Sequence, residues 1–252
     1  MHRTYAFVGE HVFEVQTDSA QLMNMYTNFF HNVRQSTQKP VHMTVHIHSG
    51  YGTLSGRAAS GIANHSKNLI FQRDNYVIKI ESSYKSSDLY VYNSRALQSG
   101  FGALYCLFIT HNGWGIMFRS SYADRDGGIR ITSGNLGQQV NQETSELNPA
   151  ETATLVKISQ TGATVFSSFF GESGTTRFPL SSIFLYHHSF QEGQIKLSQT
   201  KALIRLLDYV LYWPDDAEQT KKMIAMLKQL VAMTPSYQHF INVHKVASRL
   251  TS

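Results

Sequence analysis

The run VHMTVHIHSG, residues 41–50, alternates strictly in polarity: Val41, Met43, Val45 and Ile47 fall on one side, and His42, Thr44, His46 and His48 on the other. A period of two residues is the mark of a β-strand with one buried and one open face. Such a strand needs paired neighbours and something apolar beneath it, so the first part of the chain is expected to build a sheet. The flanking sequence agrees. YAFVG and HVFEV read as strands on either side of Gly9, NLIFQRDNYVIKIES reads as a hairpin turning near Arg73-Asp74-Asn75, and DLYVYN adds a further strand. One helix interrupts them. Asp18 or Ser19 can cap it, and Leu22, Met25, Tyr26, Phe29 and Phe30 form its apolar stripe.

Beyond residue 100 the pattern changes. ALYCLFI reads as a buried strand, His111-Asn112-Gly113 as a tight turn, and GIMF as the returning strand. Residues 120–150 are polar and rich in Gly, Ser, Asn and Gln, with a weakly periodic helix over Leu136–Leu147. TATLVKI, ATVFSSFF and SSIFLYHHS read as strands. Ser198 caps a helix running through TKALIRLLDYVLY, Pro214 stops it, and Asp215 or Asp216 caps the next helix. QHFINV is expected as a final edge strand. The expected organisation is an N-terminal β-rich region with one helix, 1–98, followed by a core with C-terminal helices, 99–252.

Bulk properties narrow the classes. The hydrophobic fraction, 42% of 252 residues, is enough for a real core. The single cysteine, Cys106, lies in an apolar run and excludes a disulfide framework. No stretch approaches the length of a membrane span, so the expectation is a cytoplasmic protein without a membrane partner. A net charge of +5, scattered without a lysine-arginine block, makes nucleic acid an unfavoured partner.

Two groups of residues attract a chemical reading. His46 and His48 are two apart on one strand face, roughly 7 Å from each other, with His42 further off. That spacing suits a metal only if further ligands arrive from elsewhere, and the competing reading is the solvent face of an antiparallel sheet. The second group is the loop after GIMF: Arg119, Ser120, Ser121, Tyr122, Ala123, Asp124, Arg125, Asp126, Gly127 and Gly128. Small residues after a strand can cradle a phosphate. Here Asp124 and Asp126 oppose a polyphosphate, whereas Arg119 and Arg125 favour an anion.

The order of ALYCLFITHNGWGIMF, ATLVK, VFSSFFGESG, FPLSSIFLYHH, LSQTKALIRLLDYVLYWP and MTPSYQHF resembles the C-terminal kinase domain of bacterial HPr kinase/phosphorylase and its relatives, including those found with ribosomal peptide-modification systems. The resemblance covers roughly residues 100–245. It implies an α/β (α+β) fold with a mixed central sheet of the HPr-kinase-like C-terminal-domain type, a small N-terminal β-rich extension and C-terminal helices. It also implies a degenerate phosphate-binding loop. Tyr105 stands where the family has a histidine, Asp126 where it has the lysine, and Gly127 where it has the magnesium-binding hydroxyl. Glu151-Thr152 replaces an acidic pair. Tyr105 and Glu151 are then remnants of a catalytic set, and Ser120, Arg119, Arg125 and Arg177 are candidate nucleotide or anion ligands.

Reversing the lysine's charge removes stabilisation where a transferring phosphoryl group needs it most. The expectation is therefore a binding or regulatory protein with a peptide or protein partner and no cofactor. Homo-oligomerisation, common among enzymes of the family, is left open. Two other readings stand beside it: an atypical kinase using ATP and Mg2+, and a metal-dependent enzyme using His42, His46 and His48.

Overall fold

The computed structural model describes residues 1–30, 33–50, 62–65, 68–119, 121–123, 127–132, 153–166, 177–189, 191–214 and 216–242. It is a mixed α/β structure that divides into two compact units. The first takes Met1–Phe108 together with Trp213–Thr220, and the second takes the described residues of Ile109–Tyr212 and those from Lys221 onward.

The first unit is built on β1 (His2–Val8), β2 (His11–Thr17), α1 (Ala20–Phe29), β3 (Val33–Arg34), β4 (Met43–Ser49), β5 (Ile62–His65), β6 (Asn68–Gln72), β7 (Tyr76–Glu81), β8 (Ser86–Val91) and α2 (Ser94–His111), the last three residues of which belong to the second unit. The eight strands form one sheet in the order β3-β1-β2-β4-β8-β7-β6-β5. The alternation that defines β4 holds across it. Ala6, Phe13, Val15, Met43, Val45, Ile47, Ile78, Ile80 and Leu89 are at most 1% exposed, and the residues between them are half open. One expectation is corrected. β4 runs parallel to both neighbours, β2 and β8, so the histidines lie on the open face of a locally parallel stretch and not of an antiparallel sheet.

Ser19 caps α1, its side chain accepting from Leu22 N at 3.2 Å, and Leu22, Met23 and Tyr26 are buried. The larger correction concerns ALYCLFI, which lies inside helix α2. Ala96, Leu97, Phe101, Leu104, Tyr105, Cys106, Leu107, Phe108 and Ile109 are all buried. A helix apolar on every side shows no stripe, and its sequence is then indistinguishable from a buried strand by periodicity. Asn93 starts it, its Oδ1 accepting from Ala96 N at 2.9 Å. The HNG sequence ends it: Gly113 N donates to Thr110 O and Trp114 N to Ile109 O, with Gly113 at φ 64°. That bonding pattern is a Schellman cap, so the glycine closes a helix where a hairpin was expected.

The second unit carries β9 (Gly115–Arg119), β10 (Ser121–Ala123), β11 (Gly128–Thr132), β12 (Ala153–Ser159), β13 (Gly162–Phe166), β14 (Arg177–Pro179), β15 (Ser182–Ser189), β16 (Gly193–Lys196), α3 (Gln199–Leu207), most of α4 (Ala217–Met233) and β17 (Ser236–Asn242). One sheet has the order β10-β11-β15-β17-β16 and the other β14-β13-β12-β9. β11, β15 and β17 are parallel. Ile129, Ile131, Ile183 and Leu185 pack with Ile116, Phe118, Val156 and Val165, and with Leu206, Leu227 and Leu230 of the two helices. β17, expected at an edge, has β15 on one side and β16 on the other.

Ser198 caps α3 and Asp216 caps α4, the latter accepting from Gln219 N at 3.0 Å. α3 stops at Leu207, short of the expected Tyr212. Residues 209–211 leave the helix to cover the open edge of β9: Arg119 N donates to Tyr209 O and Leu211 N to Met117 O, both at 2.8 Å. An unpaired buried strand edge costs more than the helical turn it displaces. Among the described residues, no helix is long and apolar enough to cross a membrane.

β9 and β12 approach closely at Gly115, where an added Cβ would lie 2.1 Å from Val156 O. Gly115→Ala is expected to push these strands apart and lower stability by about 1–3 kcal/mol, read as a fall in the denaturant midpoint.

Candidate functional site

Tyr105 is the remnant whose surroundings are most completely defined. Its position in α2 directs it into the first unit's core, where it is fully buried. The phenol donates to Val8 O at 3.1 Å and lies 3.1 Å from His11 Nδ1. With its hydrogen on Val8 O, the phenol oxygen accepts from His11, which places a hydrogen on Nδ1 of that ring. Burial holds the Tyr105 pKa well above the usual tyrosine value, with the nearby Glu10 and Cys106 acting in the same direction. A phenol that is sealed from solvent and kept neutral ties α2 to β1.

The three candidate metal ligands are separated. His42 lies just before β4 and turns to accept the Val12 backbone N–H on Nδ1 at 3.0 Å, its ring 5.0 Å from that of His11. His48 stays on the open face, where Nε2 is 2.9 Å from Asp88 Oδ1 and the ring stacks on Tyr90 at 4.7 Å. His46 lies beside Asp88 in register on the same open face. Among the described residues no group of three or more His, Cys, Asp or Glu is placed to hold a metal. His42 leaves the face because a backbone donor at β2 needs an acceptor.

The anion candidates fare similarly. Arg119 directs Nε, at 3.1 Å, and a second guanidinium nitrogen to Asp208 O at the C-terminal end of α3. A cation there satisfies a terminal carbonyl and complements the helix dipole. Arg177 is exposed on β14, paired with Phe166 across the ladder. Ser120, Asp124, Arg125, Asp126 and Glu151 lie outside the described residues. Ser121, Tyr122 and Ala123 pair antiparallel with Ile131, Arg130 and Ile129. A phosphate-binding loop runs instead from a strand into the N-terminus of a helix, whose positive end it uses. Residues 128–132 offer a strand at that point.

Residue-level reading did not anticipate His11 or Asp88. Neither belongs to a motif, and each acquires its partner from an element distant in sequence. The same holds for β16, whose four residues Gly193–Lys196 are all exposed, Ile195 at 57%. Its other neighbour in the sheet is absent, so β16 presents an open backbone edge among the described residues.

Two outcomes follow from the buried phenols. Tyr105→Phe leaves Val8 O without its donor and is expected to cost about 1–3 kcal/mol, measured by denaturant unfolding. Tyr76 and Tyr84 are pushed up to about 12, chiefly by burial; Arg73 partly offsets this for Tyr76, and the hydrogen bond from Gln219 for Tyr84. The unfolded chain releases these protons near the ordinary tyrosine value, before the folded one does. Their stabilisation is therefore whole below about pH 10 and is lost as pH rises through about 12, at most about 2–3 kcal/mol for each group. Tyr84→Phe should flatten the alkaline decline in unfolding free energy.

Comparison of the chain with protein-family models finds no matching family, and comparison with curated proteins finds no similar sequence.

Proposed function

We propose that this protein is a catalytically degenerate relative of the HPr-kinase-like proteins, which acts by binding a peptide or protein and not by transferring a phosphoryl group. The observation that carries this reading is β16. It is a short edge strand, exposed at all four positions, with a large apolar side chain, Ile195, standing in solvent. It lies beside β17, which is held by the parallel ladder to β15. An extended segment can add to such an edge through main-chain hydrogen bonds, with an alternate side chain resting on Ile195.

The side chains expected to serve chemistry support the same reading where they are described. Tyr105 is used on Val8 O, His42 on Val12 N and Arg119 on Asp208 O. Phosphoryl transfer needs cationic groups aimed at the transferring oxygens and a base at the acceptor, and these residues are turned elsewhere.

Purified protein titrated with magnesium and ATP at millimolar concentration, and assayed for γ-phosphate transfer to peptides, is expected to show no turnover. A displayed peptide library should yield extended sequences that lose about tenfold or more in affinity on Ile195→Asp, with the unfolding midpoint unchanged. Magnesium-dependent transfer to a protein or peptide acceptor would overturn the reading.

A further inference from the structure

We infer that the open face of the eight-stranded sheet, at its β3–β1 end, binds single-stranded nucleic acid. The register sets the surface. Arg3, Tyr5 and Phe7 share one face of β1, while Thr4, Ala6 and Val8 point the other way and are buried. β3 pairs beside them, with Arg34 opposite Tyr5. Three cations then gather over two rings. The Arg3 guanidinium carbon is 5.7 Å from the Tyr5 centroid, and around Phe7 stand Arg34 at 4.8 Å and Lys39 at 6.0 Å. All three cations are exposed and both rings are half open.

The nearest carboxylate, Glu14, pairs with Arg3 at 3.4 Å and accepts from Gln16 at 2.9 Å, so Arg34 and Lys39 carry the uncompensated charge. Asp18, just past β2, is exposed and pairs with the N-terminal ammonium at 3.9 Å, and the other acids lie further along. Asp88 is held by His48, and Glu81 ends β7. The β3–β1 end therefore carries an excess of positive charge over flat apolar rings. From Arg3 the same lateral row continues through Gln16 to His46, and His48 stacked on Tyr90 flanks it.

Three classes of anionic partner fit the charge, but one fits the rings. Phosphates along a single strand are met by exposed cations, while its unpaired bases stack on aromatic side chains and on guanidinium planes. An acidic peptide uses the cations and leaves the rings idle. A duplex presents its bases edge-on in its grooves and offers no face to stack. A sheet face with central rings and flanking cations is a platform for single strands, and it tolerates many sequences because every base has a flat face. The charges were invisible as a group because residues 3, 34 and 39 meet only through the pairing of β1 with β3 and the chain that follows β3.

Fluorescence anisotropy with labelled oligouridylate and oligothymidylate of about twelve nucleotides tests this on the full chain. Binding is expected to weaken roughly sevenfold between about 50 and 200 mM salt, as for about two phosphate contacts. Tyr5→Leu and Phe7→Leu should each weaken it about fivefold or more without lowering the salt slope. Arg34→Gln and Lys39→Gln should each lower that slope by about 0.7. If a ring variant unfolds, the charge variants still decide. No binding at about 50 mM salt overturns the inference. So does binding of polyglutamate or heparin as tight as that of the oligomers, with the leucine variants unaffected, since charge alone would then account for it.

Discussion

Alternate burial across paired strands is the constraint from which the first unit follows. Once Val45 and Ile47 must leave water, His46 and His48 have to face it, and register carries the division to every neighbouring strand. Phe13 and Val15 go in with them, as do Leu89, Ile78 and Ile80. Slipping one strand by a residue would exchange its faces and expose the whole apolar set, so the pairing is strongly specified. The same division produces the open face, whose polar and aromatic residues cost nothing in packing and are therefore available for other use.

Closure of that buried face falls to helices that contribute without having an obvious stripe. α2 is the chief one, and its interior position explains why it read as a strand. A helix with one wet side declares its period, whereas one that is buried all round shows only a run of apolar residues. The signals that settle the matter lie at its ends, in the Asn93 cap and the Gly113 termination, and short polar residues at those places serve turns equally well. By contrast β4, α1, α3 and the Asp216 cap were legible, because each has either a wet side or a local hydrogen bond that depends on residue type. The end of α3 was not legible: what stops it is the open edge of β9, where Arg119 lies 89 residues before Asp208 in the chain.

The candidate site shows the same limit. Residue types with chemical potential were easy to pick out, yet the sequence does not say which backbone group will claim them. His42 is taken by Val12, Arg119 by the carbonyl at the end of α3, and Tyr105 by Val8. In each case a buried or terminal backbone group needed a partner, and satisfying it outweighed the freedom of the side chain. The spacing of the strand histidines fixes their order along the chain only, and the first of them turns out of the face the others share to accept the Val12 N–H.

The parts that complete the first unit arrive late in the chain. All eight strands precede α2, and the unit closes only when Trp213 meets Phe71 and Gln219 donates to Tyr84 Oη and to Leu107 O. A chain emerging from its N-terminus has therefore made the whole sheet before the residues that seal it exist. Until then α2 covers the sheet, while Phe71 lacks its Trp213 contact and Tyr84 and Leu107 lack the Gln219 donor. A fragment ending at Val91 would keep the sheet's pattern and lack its cover, so the end of the last strand does not offer a place to cut.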